Sequence, residues 1–203
     1  MKVSVVMASY LGDYPKAAKN RDKKIIRAVD SVLNQTYKDV ELVIVADGCQ
    51  KTVDIIKGSY SGNEKINGYL IKKCPVWSGV PRNTGIDKAE GEWICYLDID
   101  DYLAPGHIAT LVKQIRASDD WVFFDDKVIS RDGQSIKNRA CNLSLGRCGT
   151  SNVLHKKIAK WDVKGTYAHD WIFIKNLVSA SRNNRKILGG EYVVCHIPGR
   201  LDV

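Results

Sequence analysis

Residues 91–101 read Gly-Glu-Trp-Ile-Cys-Tyr-Leu-Asp-Ile-Asp-Asp, an apolar run that ends in a cluster of carboxylates. The apolar run is typical of a buried strand. In extended backbone, residues two apart face the same side, so Asp98 and Asp100 project together while Ile99 turns into the core. Adjacent carboxylates repel each other unless a cation joins them or one is protonated, and Mg²⁺ or Mn²⁺ binds such oxygens together with substrate phosphates. A solvated acidic turn in which Asp101 caps the next helix also explains the tripeptide.

Further strands and helices alternate on both sides of this stretch. Short apolar runs predict additional strands at residues 3–8, 40–46, 68–72 and 121–124. Apolar residues at helical spacing predict a helix that ends near residue 35 and others over residues 52–57, 81–89 and 108–115. This alternation indicates an α/β fold with a mostly parallel central sheet flanked by helices.

Three of the predicted strands run directly into polar residues. Ser9 and Tyr10 come after the first strand, Asp47 ends the second, and Asp98 begins the carboxylate cluster. Open parallel sheets bind their ligands at the carboxyl ends of the strands. We therefore expect these residues to converge on a functional site.

The pattern changes after residue 124. Residues 125–139 are polar and contain an Asp-Gly turn signal, which indicates a hairpin or an excursion from the main fold. Later apolar patterns predict helices at 153–161 and 171–178 and a last strand at 192–196. We see no repeat, low-complexity tract or flexible linker, so we expect residues 1–203 to form a single domain with two parts, 1–124 and 125–203.

Composition and charge narrow the class of protein. With 44% hydrophobic and 27% charged residues, the sequence is that of an ordinary globular domain and excludes wholesale disorder. No apolar run approaches the roughly 20 residues that span a bilayer, and the first residues lack a signal-peptide core, so we expect a cytoplasmic location. Six cysteines without a Cys-x-x-Cys pair fit free thiols in a reducing compartment. The net charge of +8 leaves a nucleic-acid-binding module open, although the basic runs are no longer than pairs.

Four segments resemble the inverting glycosyltransferases of family 2, which have the GT-A fold. They keep the family's order and spacing: Val3-Ser-Val-Val-Met-Ala-Ser-Tyr10, residues 31–48, Pro81-Arg-Asn-Thr-Gly-Ile86 and the opening stretch 91–101. The resemblance implies a Rossmann-like GT-A domain that moves a sugar from a nucleotide sugar, UDP-linked in this interpretation, to an acceptor hydroxyl with the help of Mn²⁺ or Mg²⁺. The sequence lacks a glycine-rich phosphate loop, so a cation is needed to neutralise the diphosphate.

The resemblance places the donor-binding residues in the first part, residues 1–124. It implies that Ser9 and Tyr10 cradle the nucleotide base and that Asp47 accepts from uracil N3–H, a role that suits an acceptor-only carboxylate. Ala46 stands where the family usually has a second acid. A simple turn between strand and helix is the alternative role for all of these residues.

Three more matches complete the implied donor site. Arg82 corresponds to an arginine near the base or phosphate, and its alternative role is a surface salt bridge. Asp98 matches the acid near the ribose and the metal, with Ile99 in the same donor-binding segment. Asp100 matches the residue that holds the metal on the diphosphate.

The second part, residues 125–203, is implied to hold the base and the acceptor. Asp170 matches the family's general base, and an N-cap of the following helix is its alternative role. His196 matches a late histidine that completes the metal site in some relatives and favours Mn²⁺ over Mg²⁺, although a structural role is an equal alternative. Trp77 and Trp161 are candidates to stack on sugar rings, but burial in the core is the preferred interpretation.

Positive charge is concentrated in this second part. Residues 125–203 carry 14 Lys+Arg and 7 Asp+Glu, against 17 and 16 in residues 1–124. This asymmetry suggests attraction to an anionic acceptor, a diphosphate-lipid or a membrane surface, with peripheral membrane contact. The implied acceptors are glycans, glycoproteins or lipid-linked glycans in surface polysaccharide or glycan synthesis, and nucleic acid is not expected as a partner. A catalytically silent sugar-nucleotide-binding domain stays open as an alternative.

Overall fold

The computed structural model describes residues 1–75, 78–164 and 168–203. The strands within these ranges are β1 (Val3–Ser9), β2 (Val40–Asp47), β3 (Ile66–Ile71), β4 (Trp93–Tyr96), β5 (Tyr102–Leu103), β6 (Trp121–Phe124), β7 (Asp126–Ile129), β8 (Ile136–Arg139), β9 (Val153–Lys156), β10 (Asn184–Ile187), β11 (Tyr192–Val194), β12 (His196–Ile197) and β13 (Leu201–Asp202). The helices are α1 (Arg21–Leu33), α2 (Gln50–Tyr60), α3 (Gly79–Lys88), α4 (His107–Val112) and α5 (His169–Ala180), with a 3₁₀ turn at Thr150–Asn152.

A central sheet joins strands from both parts of the chain in the order β10-β6-β9-β4-β1-β2-β3. β1 pairs in parallel with β2 and with β4, so that Val3 lies beside Val40 on one side and Trp93 on the other. β2 is buried along its whole length because helices cover both faces of the sheet. The mixed α/β fold with a mostly parallel central sheet, as predicted, is confirmed.

The side chains of β1 and β2 alternate between two apolar cores. Val5 and Leu42 face the core that α1, α2 and α4 cover, whereas Val6 and Val43 face the core that α3 and α5 cover. The alternation encloses the sheet and leaves its strand ends as the accessible edge. None of the described helices has the length and apolar character needed to cross a bilayer.

A smaller sheet, in the order β5-β11-β7-β8, lies next to the carboxylate cluster. β5 follows that cluster directly and pairs antiparallel with β11, which in turn pairs in parallel with β7. This pairing ties the end of the chain to the cluster. β7 and β8 form the hairpin that the polar stretch predicted, and Gly133 in its connection has φ of +70°, which favours glycine.

The helix predicted at residues 153–161 is wrong. The first four of these residues form β9, which inserts between β4 and β6 and runs antiparallel to both. Val153, Leu154 and His155 are at most 1% exposed. A short run that is buried on both faces has no periodicity to separate strand from helix. The helix predicted at residues 171–178 lies within α5.

The strand predicted at residues 192–196 is interrupted. β11 ends at Val194, and β12 begins at His196. At the break, the N–H of Cys195 donates to Asp101 Oδ1 over 2.7 Å. At this position the Asp101 carboxylate therefore takes the place of a neighbouring strand as hydrogen-bond acceptor. Strand propensity does not predict such a break.

Candidate active site

The carboxyl ends of β1 and β2 bring Ser9 and Asp47 to the same edge of the sheet as Asp98, which follows β4. Ser9 is 1% exposed, and its Oγ lies 2.8 Å from Thr52 Oγ1. The hydroxyl of Ser9 thus ties β1 to α2. The predicted convergence of the strand ends is present, but the Ser9 hydroxyl is engaged inside the protein.

Lys73 joins two of the residues expected at the nucleotide base. Asp47 is buried; its Oδ2 accepts from Lys73 Nζ at 2.8 Å, and its Oδ1 accepts from the N–H of Cys74 at 2.7 Å. Lys73 Nζ also lies 4.5 Å from the ring centroid of Tyr10. Sequence reasoning missed Lys73, because one lysine of a Lys-Lys pair after a strand carries no motif.

The residues after β4 form an ordered turn whose last acid is internal. Ile99 is buried in the core, as predicted, but the extended backbone expected at residues 98–100 is wrong, because the N–H of Asp101 donates to the Asp98 carbonyl at 3.2 Å and closes a turn. Asp101 is 5% exposed and accepts from Tyr192 Oη at 2.8 Å, in addition to the Cys195 N–H. Tyr192 Oη in turn accepts from the N–H of Asp98 at 3.1 Å. The alternative in which Asp101 caps the next helix is wrong, because Gly106 is the N-cap residue of α4.

Negative charge accumulates in this turn. Burial raises the pKa of Asp100 to about 6, the Asp98 carboxylate adds to the shift, and His196 opposes it. Burial, together with Asp100 and Asp98, raises the pKa of Asp101 well above its ordinary value. A cation placed here relieves this repulsion, since an opposite charge favours the ionised carboxylates.

Arg82 on α3 links the donor-side acid to the predicted base. It is 5% exposed, and its Nη2 donates to Asp98 Oδ1 at 2.8 Å while its Nη1 lies 3.5 Å from Asp170 Oδ1. Its guanidinium also lies 4.3 Å from the ring centroid of Trp161. Burial acts to lower the pKa of Arg82, but the carboxylates of Asp98 and Asp170 hold it above its ordinary value. The surface salt bridge considered for Arg82 is wrong, because this pairing is internal to the cleft.

Asp170 lies in the first turn of α5 with its side chain 41% exposed. Thr150 Oγ1 donates to Asp170 Oδ1 at 3.0 Å, and His169 Nε2 lies 3.1 Å from the same oxygen. Burial lowers the pKa of His169, with the positive charge of Arg82 acting in the same direction and Asp170 opposing it. The alternative role of Asp170 as an N-cap is wrong, because Ala168 occupies that position.

His196 begins β12, and its N–H donates to Asp101 Oδ1 at 3.4 Å. Its Nε2 is 3.2 Å from the carbonyl oxygen of Lys16. Its Nδ1 is buried 3.4 Å from Asp202 Oδ1, yet it makes no hydrogen bond to any residue that the structure describes. Within the described ranges, no three His, Cys, Asp or Glu side chains are gathered into a metal-binding group.

A cleft of about 570 Å³ runs between these groups. Asp98, Asp170 and His196 line it together with residues 145–152, and Gly149 and Thr150 of this segment lie beside Asp170. Thr150 donates to Asp170, and Tyr192 donates to Asp101 and accepts from the N–H of Asp98. No local sequence pattern identifies Thr150 or Tyr192 as part of the site. Trp161 is 3% exposed and stacks on Phe173 with ring centroids 4.1 Å apart, which is a core position, whereas Trp77 lies outside the described residues.

The family model described as Glycosyl transferase family 2 matches residues 17–179. A similar curated protein is the GalNAc(5)-diNAcBac-PP-undecaprenol beta-1,3-glucosyltransferase of Campylobacter jejuni, which is 24% identical over 194 residues, or 94% of this chain and 57% of that protein.

Two solved structures share the fold. TarS 1–349 of S. aureus in complex with UDP-GlcNAc matches with a TM-score of 0.77 at 18% identity, over 99% of this chain and 60% of that one. The mannosyltransferase PcManGT from Pyrobaculum calidifontis in complex with GDP-Man and Mn²⁺ matches with a TM-score of 0.67 at 14% identity, over 98% of this chain and 58% of that one. These likenesses confirm the predicted GT-A fold. The chain spans less than two thirds of the length of each of these proteins.

Proposed function

The chain belongs to glycosyltransferase family 2, and from this premise we propose that it transfers a sugar from a nucleoside-diphosphate sugar to an acceptor hydroxyl with inversion at the anomeric carbon. The observation that carries the proposal is the position of Arg82, 2.8 Å from Asp98 and 3.5 Å from Asp170. A single guanidinium fixes the donor-side acid relative to the candidate base. Both acids line the same cleft.

Asp170 is the proposed general base. In a direct inversion the acceptor oxygen attacks the anomeric carbon opposite the leaving diphosphate, so one base on the acceptor side suffices. Asp170 takes the hydroxyl proton as the new C–O bond forms and the bond from the anomeric carbon to the diphosphate oxygen breaks. Thr150 and Arg82 contact Asp170 Oδ1, while Oδ2 makes no hydrogen bond within the described residues and is free to accept this proton.

We assign the nucleotide base to the edge formed by Tyr10, Asp47 and Lys73. A carboxylate has lone pairs beyond those that Lys73 and the Cys74 N–H use, so Asp47 can also accept from uracil N3–H. Lys73 holds both the carboxylate and the Tyr10 ring in position. The UDP-GlcNAc bound in TarS supports uridine, whereas the GDP-Man bound in the mannosyltransferase is the competing precedent.

Asp98, Asp100 and His196 are the residues that would hold a divalent ion. The Asp98 and Asp100 carboxylates repel each other, and the buried His196 Nδ1 makes no hydrogen bond within the described residues. Together these groups offer oxygen and nitrogen donors, a mixed set that suits Mn²⁺ better than Mg²⁺. When bound, such an ion supplies Lewis-acid stabilisation of the departing diphosphate. Arg82 contributes a fixed positive charge next to Asp98, on the same side of the cleft.

The proposed acceptor is a glycan carried on a lipid. The Campylobacter relative is named for an acceptor linked to PP-undecaprenol, and the positive balance of residues 125–203 suits an acceptor presented at an anionic membrane. We therefore propose that the chain contacts the membrane peripherally and acts in the synthesis of surface glycans.

Thermal shift with a panel of nucleotide sugars tests the proposal. With a UDP-sugar at about 100 times its Kd and Mn²⁺ present, mass action adds about 2.7 kcal/mol, which raises the Tm by about 5–10 °C. We expect Asp98→Asn and Asp100→Asn to lose this shift and Asp87→Asn to keep it, because the Asp87 side chain is 67% exposed on the surface of α3. If no nucleotide sugar stabilises the wild type, the proposed function is wrong. Binding without transfer to any acceptor or to water favours the silent binding domain instead.

A further inference from the structure

The segment of the cleft lining beside Asp170 carries a guanidinium that has no partner among the residues that the structure describes. Arg147 is exposed, lines the cleft, and forms no hydrogen bond or ion pair through its side chain with any described residue. The other arginines near the cleft are engaged. Arg139 donates to Asp126 Oδ1 at 2.7 Å, and Arg82 pairs with both acids of the site.

The backbone around Arg147 is held in place. The N–H of Arg147 donates to the Ser144 carbonyl at 3.1 Å and closes a turn in which Gly146 has φ of +72°. Cys141 and Cys148, on either side of this segment, are 3% and 5% exposed in the core. The turn is therefore anchored at both ends, and the exposed side chain of Arg147 extends from it.

The position of Arg147 is on the acceptor side of the cleft. A Cβ built on Gly149 would lie 3.4 Å from Asp170 Oδ2, so the backbone of Gly149 passes directly beside the base. Arg147 is two residues away, which limits the separation of their α-carbons to about 7 Å, a distance that an arginine side chain spans. In the proposed function the leaving diphosphate is held by Asp98, Asp100 and His196 and not by residues 145–152. Arg147 therefore reaches the group that approaches the base and not the group that departs.

We propose that Arg147 binds an oxyanion of the acceptor, a phosphate or a carboxylate, so that the acceptor is negatively charged close to the hydroxyl that reacts. This proposal rests on the proposed function for the identity of the acceptor side. A guanidinium binds either group with two parallel hydrogen bonds. The proposal also gives a local reason for the excess of positive charge in residues 125–203, since one of these charges, on Arg147, lines the cleft.

Binding of small anions to the full chain tests the proposal, with the donor site filled by UDP and Mn²⁺. The probes are glycerol 3-phosphate, glycerate and neutral glycerol, measured by calorimetry or NMR titration. We expect the wild type to bind an anionic probe and not glycerol, and Arg147→Gln to weaken binding about tenfold, as for one charge-assisted contact. The matched control is Arg182→Gln. Arg182 is exposed and lies beyond the far end of α5, a helix about 18 Å long whose first turn carries Asp170. We expect Arg182→Gln to change binding less than twofold.

The source of the anion is separated by a second arm, co-sedimentation with phosphatidylcholine vesicles with and without phosphatidic acid. If Arg147→Gln loses binding only to vesicles that contain phosphatidic acid, the anion is a lipid phosphate. If it loses binding to a soluble probe, the anion is a soluble phosphate or carboxylate. Equal effects of Arg147→Gln and Arg182→Gln on every probe overturn the proposal. So does competition between UDP and the anion, because Arg147 then belongs to the donor site. The UDP titration is read by itself, so a chain that fails to bind UDP contradicts the proposed function without deciding the role of Arg147.

Discussion

Replacing Arg82 with glutamine removes the cation that Asp98 and Asp170 share. The 2.8 Å bond to Asp98 is charge-assisted and worth about 1.5–3 kcal/mol. Both carboxylate side chains are 41% exposed, so solvent screens the 3.5 Å contact to Asp170 to about 0.5 kcal/mol. The contact with the Trp161 ring at 4.3 Å adds about 1 kcal/mol. We therefore expect Arg82→Gln to lower the free energy of unfolding by about 3–4.5 kcal/mol, or the Tm by about 6–18 °C.

Urea unfolding followed by tryptophan fluorescence measures this loss, and Trp161 lies against the replaced side chain. Arg185→Gln is the matched control, because it breaks a 2.9 Å pair with the buried Asp119 away from the cleft. We expect both variants to lose stability and only Arg82→Gln to lose sugar transfer at a temperature where both are folded. Unchanged transfer by folded Arg82→Gln, or a stability loss below about 0.5 kcal/mol, refutes the shared-cation reasoning.

Three further outcomes follow from the same contacts. Thr150→Val removes the 3.0 Å donor to Asp170, so steady-state transfer should fall about tenfold with an unchanged Kd for UDP. Asp47→Asn should weaken UDP about tenfold by calorimetry while GDP binding changes little, because only uracil offers the N3–H at that position. Burial raises the pKa of Asp100 to about 6, above its unfolded value, so the contribution of Asp100 to the stability of the metal-free protein should be lost as pH rises from about 4 to about 6. In thermal melts, Asp100→Asn should lack this loss and be more stable at pH 7.5.

The part of the fold that could be predicted is the part with periodic or punctuated sequence. Local features of the sequence are enough to predict β1, β2 and β4, which are uninterrupted apolar runs. They also predict that the polar residues after these strands lie at the carboxyl edge of the sheet. The prediction for β9 was wrong because its residues are buried on both faces by neighbours from distant parts of the chain. Its conformation is a property of the assembled sheet.

The partners of the site residues were beyond sequence reasoning for a related reason. Asp101 looked like a helix cap because the chain continues into α4, but it accepts from Tyr192, 91 positions later. Lys73 and Thr150 reach Asp47 and Asp170 only after the strands and helices have packed. Sequence motifs identified the acids of the cleft, whereas the groups that orient those acids emerge from the fold.

The role of Asp170 as base is tested most directly by comparing donor binding and transfer in Asp170→Asn. Because we propose that Asp170 contacts the acceptor and not the nucleotide, we predict that the variant binds UDP-sugar with the affinity of the wild type. We also predict that its single-turnover transfer rate falls by about 10²–10⁴-fold, the contribution of a general base. Transfer within a few-fold of the wild type by a folded Asp170→Asn protein contradicts the proposed mechanism.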